Sequence, residues 1–265
     1  MSTSLILRPT GQLTETQAGI MAELDAEGDN WGEFHPLRLK FPTGGQVGSF
    51  VLSDGDTLRA PVEMIVVVAQ KARAYWPSKK TLGKPPLCSA PDGVAGRFDV
   101  NATEQIKTAL GNQVRHPALL TTDIATASAP WECASCPLAQ WESVGDGGRG
   151  QACKAMRKLL VIVKGWSMPA VLTLPPTSIK VWDTFASGMR QRGQAYFTRW
   201  LAVDVMPATS GDGTTYAVIQ MKAGTPLSDG EAAEVIGLRH QYGELVRALE
   251  LTPDDYDTET APVAD

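Results

Sequence analysis

Four cysteines, Cys88, Cys133, Cys136 and Cys153, are the residues of this chain whose type and spacing most directly imply chemistry. They are its full complement of thiols. Cys133-Ala-Ser-Cys136 is a CxxC turn, which sets two sulfurs along one edge of a tetrahedron; Cys88 and Cys153 flank it and can supply the other edge. Four soft thiolates surround and neutralise a dication such as Zn²⁺, whose filled d shell imposes no geometry of its own. The sequence around them is polar and rich in Gly and Pro, whereas buried structural cysteine prefers apolar company. The expected cofactor is therefore a structural Zn²⁺, with an iron–sulfur cluster on the same thiolates as the alternative. A thioredoxin-like redox pair is not expected, because no βαβ pattern surrounds it.

Other catalytic patterns are missing. His35, His116 and His240 are scattered, and none stands at a recognisable spacing from a nucleophile or carboxylate, although His116 lies in the cysteine-bearing stretch and could replace one ligand. No GxGxxG follows a strand pattern, and there is no Walker, HExxH or GxSxG string. Ser178-Ile-Lys180 is better explained by a helix cap. The chain is expected not to be an enzyme.

Charge points instead to a polyanion. The net charge is −5, but residues 59–84 carry six bases against Glu63, and residues 131–200 carry nine bases against four acids. Residues 1–34 hold six acids against Arg8, and residues 248–265 hold six acids and no base. A basic middle between acidic ends suits a nucleic-acid-binding body with an acidic tail. Aromatic residues interleave with the bases. Arg73, Tyr75, Trp76, Lys79 and Lys80 form one group; Arg149, Lys154, Arg157, Lys158 and Trp166 a second; Lys180, Trp182, Arg190 and Arg192 a third. Cations that track phosphates and rings that stack on bases are what binding a single strand requires.

The elements that must position these residues are mostly strands. Residues 34–41, 48–52 and 62–76 are apolar or alternating and are separated by turn residues. The run Met64-Ile-Val-Val-Val68 is too dense in β-branched residues for an amphipathic helix; if the strand continues, Lys71, Arg73 and Tyr75 share a face. A helix over 63–75 is the competing reading. Residues 77–153 are turn-rich and apolar-poor, the pattern of an insertion organised by metal. Two hairpins follow, 158–174 and 196–221, with a helix over 179–192 capped by Thr177-Ser178 between them. A last helix is predicted over 229–249. Residues 1–34 read as an acidic lead-in with a short helix at 15–27, residues 35–250 as one domain, and 251–265 as a disordered tail. No window suits a membrane span or a signal peptide, so a cytoplasmic location is expected.

The strings Arg73-Ala-Tyr-Trp-Pro, Pro86-Leu-Cys88-Ser-Ala-Pro-Asp-Gly93, Cys133-Ala-Ser-Cys136-Pro-Leu, Gly150-Gln-Ala-Cys153-Lys and Leu174-Pro-Pro-Thr-Ser178 together resemble a group of phage and prophage proteins of replication and recombination loci. The likeness spans roughly residues 60–220 and is strongest at the cysteines. It implies single-stranded-DNA binding, Cys88, Cys133, Cys136 and Cys153 as metal ligands, and the host cytoplasm as location. It carries over no catalytic residue. The acidic C-terminus resembles that of single-stranded-DNA-binding proteins with OB-fold cores, and implies replication or recombination proteins as partners of the tail. The combined expectation is an α+β protein built on an OB-like antiparallel barrel, with a zinc-stapled insertion and flanking helices. Two alternatives stand beside it: an adaptor acting on a host or replisome protein, and an iron–sulfur-stapled nucleic-acid enzyme.

Overall fold

Strands carry most of the regular secondary structure among the described residues. The computed structural model describes residues 36–42, 47–76, 85–99, 129–144, 150–166, 168–211, 213 and 215–255. The acidic lead-in, His35, His116, Lys79, Lys80, Arg149 and residues 256–265 fall outside them. Strands β1 (Arg38–Lys40), β2 (Ser49–Leu52), β3 (Thr57–Arg59) and β4 (Val62–Tyr75) come first. Strands β5 (Cys88–Ala90), β6 (Ala95–Phe98) and β7 (Trp131–Glu132) lie in the cysteine-bearing segment. Then follow β8 (Cys153–Val163), β9 (Ala170–Leu174), helix α1 (Pro176–Gln191), β10 (Arg199–Thr209), β11 (Thr215–Pro226) and helix α2 (Asp229–Ala248).

The β-branched run lies in β4, and its 14 residues form the spine of the molecule; the helical reading of 63–75 is wrong. One edge of β4 pairs antiparallel with β8 along nearly its whole length. The other edge is divided, pairing with β10 near Met64 and with β5 from Arg73 to Tyr75. The order is β3-β2-β1-β9-β8-β4-β5-β6-β7, with β10 and β11 branching from β4. The class is α+β, as expected, but the sheet is not closed, so this pairing does not make the OB-like barrel. The pairing is antiparallel except where β1 runs parallel to β9.

A bulge at Val67 decides which side chains face where. The β4–β8 register shifts between Val66 and Val68. Val62, Met64, Val66 and Ala69 therefore meet one face of the sheet, while Ile65, Val67 and Val68 meet the other. The extra residue inverts the parity of everything beyond it. Arg239 of α2 donates to the carbonyl of Val67 and lies 4.0 Å over the ring of Phe197, so the bulge is held from outside the sheet. Helix α1 covers the first face through Trp182 and Phe185. Helix α2 covers the second through Val235, Leu238 and Val246. Neither is long and apolar enough to cross a membrane.

Local sequence explains the helix ends. Ser228 and Glu231 form a reciprocal capping box at the start of α2. Helix α1 begins at Pro176, earlier than residue 179, and has no side-chain cap. Proline at the first helical position presets φ and removes one of the amide hydrogens that a helix start leaves without an intrahelical partner. Ser178 is free for another use: its Oγ accepts from the Ile219 amide at 3.1 Å, tying α1 to β11. Gly193, with φ of 69°, ends the helix, and the Gln194 amide donates back to the Met189 carbonyl.

The segment 77–153 is not coreless. Tyr75, Leu87, Phe98, Leu138 and Ala139 pack with Cys88 and Cys153 into a small cluster of their own. At the other end, the expected tail is anchored for its first five residues. Leu251 and Asp255 are buried, and Asp255 accepts from Arg38, from Thr173 Oγ1 at 2.6 Å and from the Thr252 amide at 2.8 Å.

Candidate functional site

The cysteines converge because of strand register. Tyr75 is paired with Cys88 on β5 and with Cys153 on β8. Residues directly opposite in a ladder share a face, so both thiols lie on the side of Tyr75. The CxxC turn follows β7 and is fixed to this face by the Cys133 amide, which donates to the Val94 carbonyl at 2.8 Å. Gln140 Nε2 closes the turn by donating to the carbonyls of Ala134 and Cys136, at 3.1 and 3.2 Å. Gly96 on β6 leaves the room: a Cβ there would stand 2.9 Å from Cys88 Sγ and 3.7 Å from Cys133 Sγ.

The surroundings of the cluster hold its thiols in the neutral form. Burial pushes the Cys88 and Cys133 thiols above their ordinary range and Cys153 up to about 12; neighbouring cysteine sulfurs add to the effect for all three. Arg73 opposes it at Cys133 and Cys153 and hydrogen-bonds the latter. The same guanidinium has a buried nitrogen, Nη1, without a hydrogen-bond partner. A positive group left so among thiols fits a centre that turns anionic when the thiols ionise. The soft donor set suits Zn²⁺. As they stand, however, no three His, Cys, Asp or Glu side chains among the described residues form a group that could hold a metal ion. The residue types, their convergence and Arg73 fit the metal; the ligating geometry is not formed.

The cations and rings named from sequence separate into two sets. Tyr75 and Trp182 are each 3 % exposed and belong to the core. Trp166 and Trp76 are half-buried against apolar clusters. Arg73 faces the cysteines. Lys154 is partly buried, with Nζ donating to the Gln151 carbonyl at 2.8 Å. Lys158 is fully buried; its Nζ donates to the Leu249 carbonyl at 2.5 Å, and burial lowers its pKa to about 8 against the pull of Asp255 and Glu250. It therefore cannot meet a phosphate from solvent. Arg157 donates from Nη2 to both carboxylate oxygens of Asp183, at 2.6 and 2.9 Å. Lys180, Arg190 and Arg192, all on or just beyond α1, stay exposed.

An open groove of about 740 Å³ runs between α1 and the cysteine-bearing lobe. Ala155 of β8 lines it, α1 contributes Lys180, Thr184, Ser187 and Gln191, and Trp141 stands on the lobe side. The Arg192 guanidinium crosses Gly188 at one end, its Nη1 3.4 Å from where a Cβ would be. Asp183 also borders the groove, but Arg157 already neutralises it. Trp141, Thr184, Ser187 and Gln191 were not singled out from sequence. Trp141 offered only a partial signal: it sits between Gln140 and Glu142 beside a polar, Gly-rich stretch, but Leu138 and Val144 stand at helix spacing from it.

No protein-family model matches the chain, and comparison with curated proteins and with solved structures finds no significant match.

Proposed function

We propose that this chain binds single-stranded nucleic acid, largely without regard to base sequence, along the groove between α1 and the cysteine-bearing lobe. The observation that carries the reading is the charge of that groove. Lys180 lines it and Arg192 crosses its end, with Arg190 exposed on the same helix as Lys180, while Asp183, the one carboxylate lining it among the described residues, is paired with Arg157. A polyanion entering there meets uncompensated positive charge and displaces counterions. The reading does not need a closed barrel, because the binding face lies between a helix and a lobe packed on an open sheet.

Cys88, Cys133, Cys136 and Cys153 would hold Zn²⁺ in a structural role. When bound, the metal neutralises the thiolates and cross-links β5, the CxxC turn and the start of β8. Arg73 would offset the remaining negative charge, and Gly96 would keep the space in which the sulfurs gather. The likeness of the cysteine motifs to phage replication and recombination proteins supports DNA as the ligand and that setting as the role.

Fluorescence anisotropy of a labelled oligodeoxythymidylate tests the proposal. Saturable binding is expected, weakened at least tenfold in the double variant Lys180→Gln, Arg192→Gln. Absence of binding by the native chain at low salt would refute it.

A further inference from the structure

We infer that Trp141 is a base-stacking platform, and that the groove is selective for unpaired bases and not for negative charge alone. The inference rests on the proposed function and identifies the chemistry of its site. Trp141 is 74 % exposed, the most exposed of the large apolar side chains among the described residues. An indole left in water forgoes a large hydrophobic gain. Its backbone is nevertheless built to hold it there. Ser143 Oγ bonds the carbonyls of Leu138 and Gln140, at 2.9 and 2.7 Å, and accepts from the Ala152 amide at 2.8 Å. Glu142, directly after the ring, has φ of 67° and is the one non-glycine residue with positive φ among those described. Such a conformation persists where its surroundings impose it. The turn is also continuous with the CxxC turn through Gln140.

The opposite wall selects the class of ligand. Ala155, Pro176 and Ile179 give it apolar surface, Thr184, Ser187 and Gln191 present donors and acceptors, and Lys180 a cation. A nucleobase needs what is present: a π face for the indole, polar groups for its edge, and cations for the adjoining phosphates. Bases inside a duplex have no free face, so an unpaired strand is the occupant.

The experiment compares an oligodeoxythymidylate with an abasic oligomer of equal length and charge, on the native chain, Trp141→Ala and Trp141→Phe, with circular dichroism confirming the fold. The native chain is expected to prefer the base-bearing strand by roughly 5- to 100-fold. Trp141→Ala should lower that preference to near unity with the salt dependence unchanged, and Trp141→Phe should keep part of it. Equal binding of the two oligomers by the native chain, or an undiminished preference in Trp141→Ala, would overturn the inference while leaving nucleic-acid binding intact. If the native chain binds neither oligomer, both the inference and the function it rests on fall.

Discussion

Lys158 illustrates how a charged residue can be recruited into a fold at a cost. Its ammonium is fully buried beneath the first residues of the C-terminal segment, near Asp255, Glu250 and Asp92 and also near Arg38. Burial outweighs the carboxylates and lowers its pKa from 10.5 to about 8. The unfolded chain therefore binds this proton more readily than the folded one between about pH 8 and 10.5, and stability gains with rising pH in that window. The cysteines act in the opposite sense in the metal-free chain. Their raised folded pKa values stabilise below about pH 9 and lose that contribution as the pH rises. Subtracting a variant that lacks Lys158 isolates the lysine. Between pH 7.5 and 10.5 the unfolding free energy of the native chain should gain about 3 kcal/mol relative to Lys158→Met, measured by urea denaturation. A flat difference would mean that Lys158 is solvated. Gly96→Ala tests the cysteine cluster: its Cβ would crowd Cys88 Sγ, and zinc affinity by chelator competition should fall about 10- to 100-fold. At this scale the cysteines were legible because residue type and spacing alone identify them. The fate of Lys158, Tyr75 and Trp182 was not, because surface and core lysines and aromatics look alike until the neighbouring strands are placed.

At the scale of elements, the bulge in β4 has the widest effect. It puts the consecutive residues Val67 and Val68 on one face, and it sends Lys71, Arg73 and Tyr75 to the side where the cysteine cluster forms. Arg239 holds the bulge, so Arg239→Ala should leave the Val67 carbonyl without a donor and lose the contact with Phe197. A destabilisation of about 2–3 kcal/mol is expected by chemical denaturation. A change below 0.5 kcal/mol would show that water replaces the guanidinium. The strand itself could be read from its β-branched run and α2 from its capping box, since both signals are local. The start of β8 at Cys153, the parallel pairing of β1 with β9 and the split edge of β4 could not. They depend on partners distant in the chain, and a single bulge inverts any face assigned by alternation.

For the whole molecule, the separation of charge along the sequence survives folding only in part. The basic middle does not become one continuous positive surface. Lys158 goes inside, Arg157 is matched by Asp183, Arg73 turns to the cysteines, and Arg38 is taken by Asp255. Among the described residues, Lys180 lines the groove, Arg192 just past α1 crosses its end, and Arg190 is exposed on α1. The proposed function therefore makes a narrower claim than the sequence charge suggested, and a quantitative one. Its most direct test is the affinity for a short single-stranded oligodeoxynucleotide across a series of salt concentrations. With about three cations neutralising phosphates, log K should fall linearly with log salt at a slope near −2, and the slope should shrink to about −0.7 in the Lys180→Gln, Arg192→Gln variant. A slope near zero, or one that the two substitutions leave unchanged, would contradict the account.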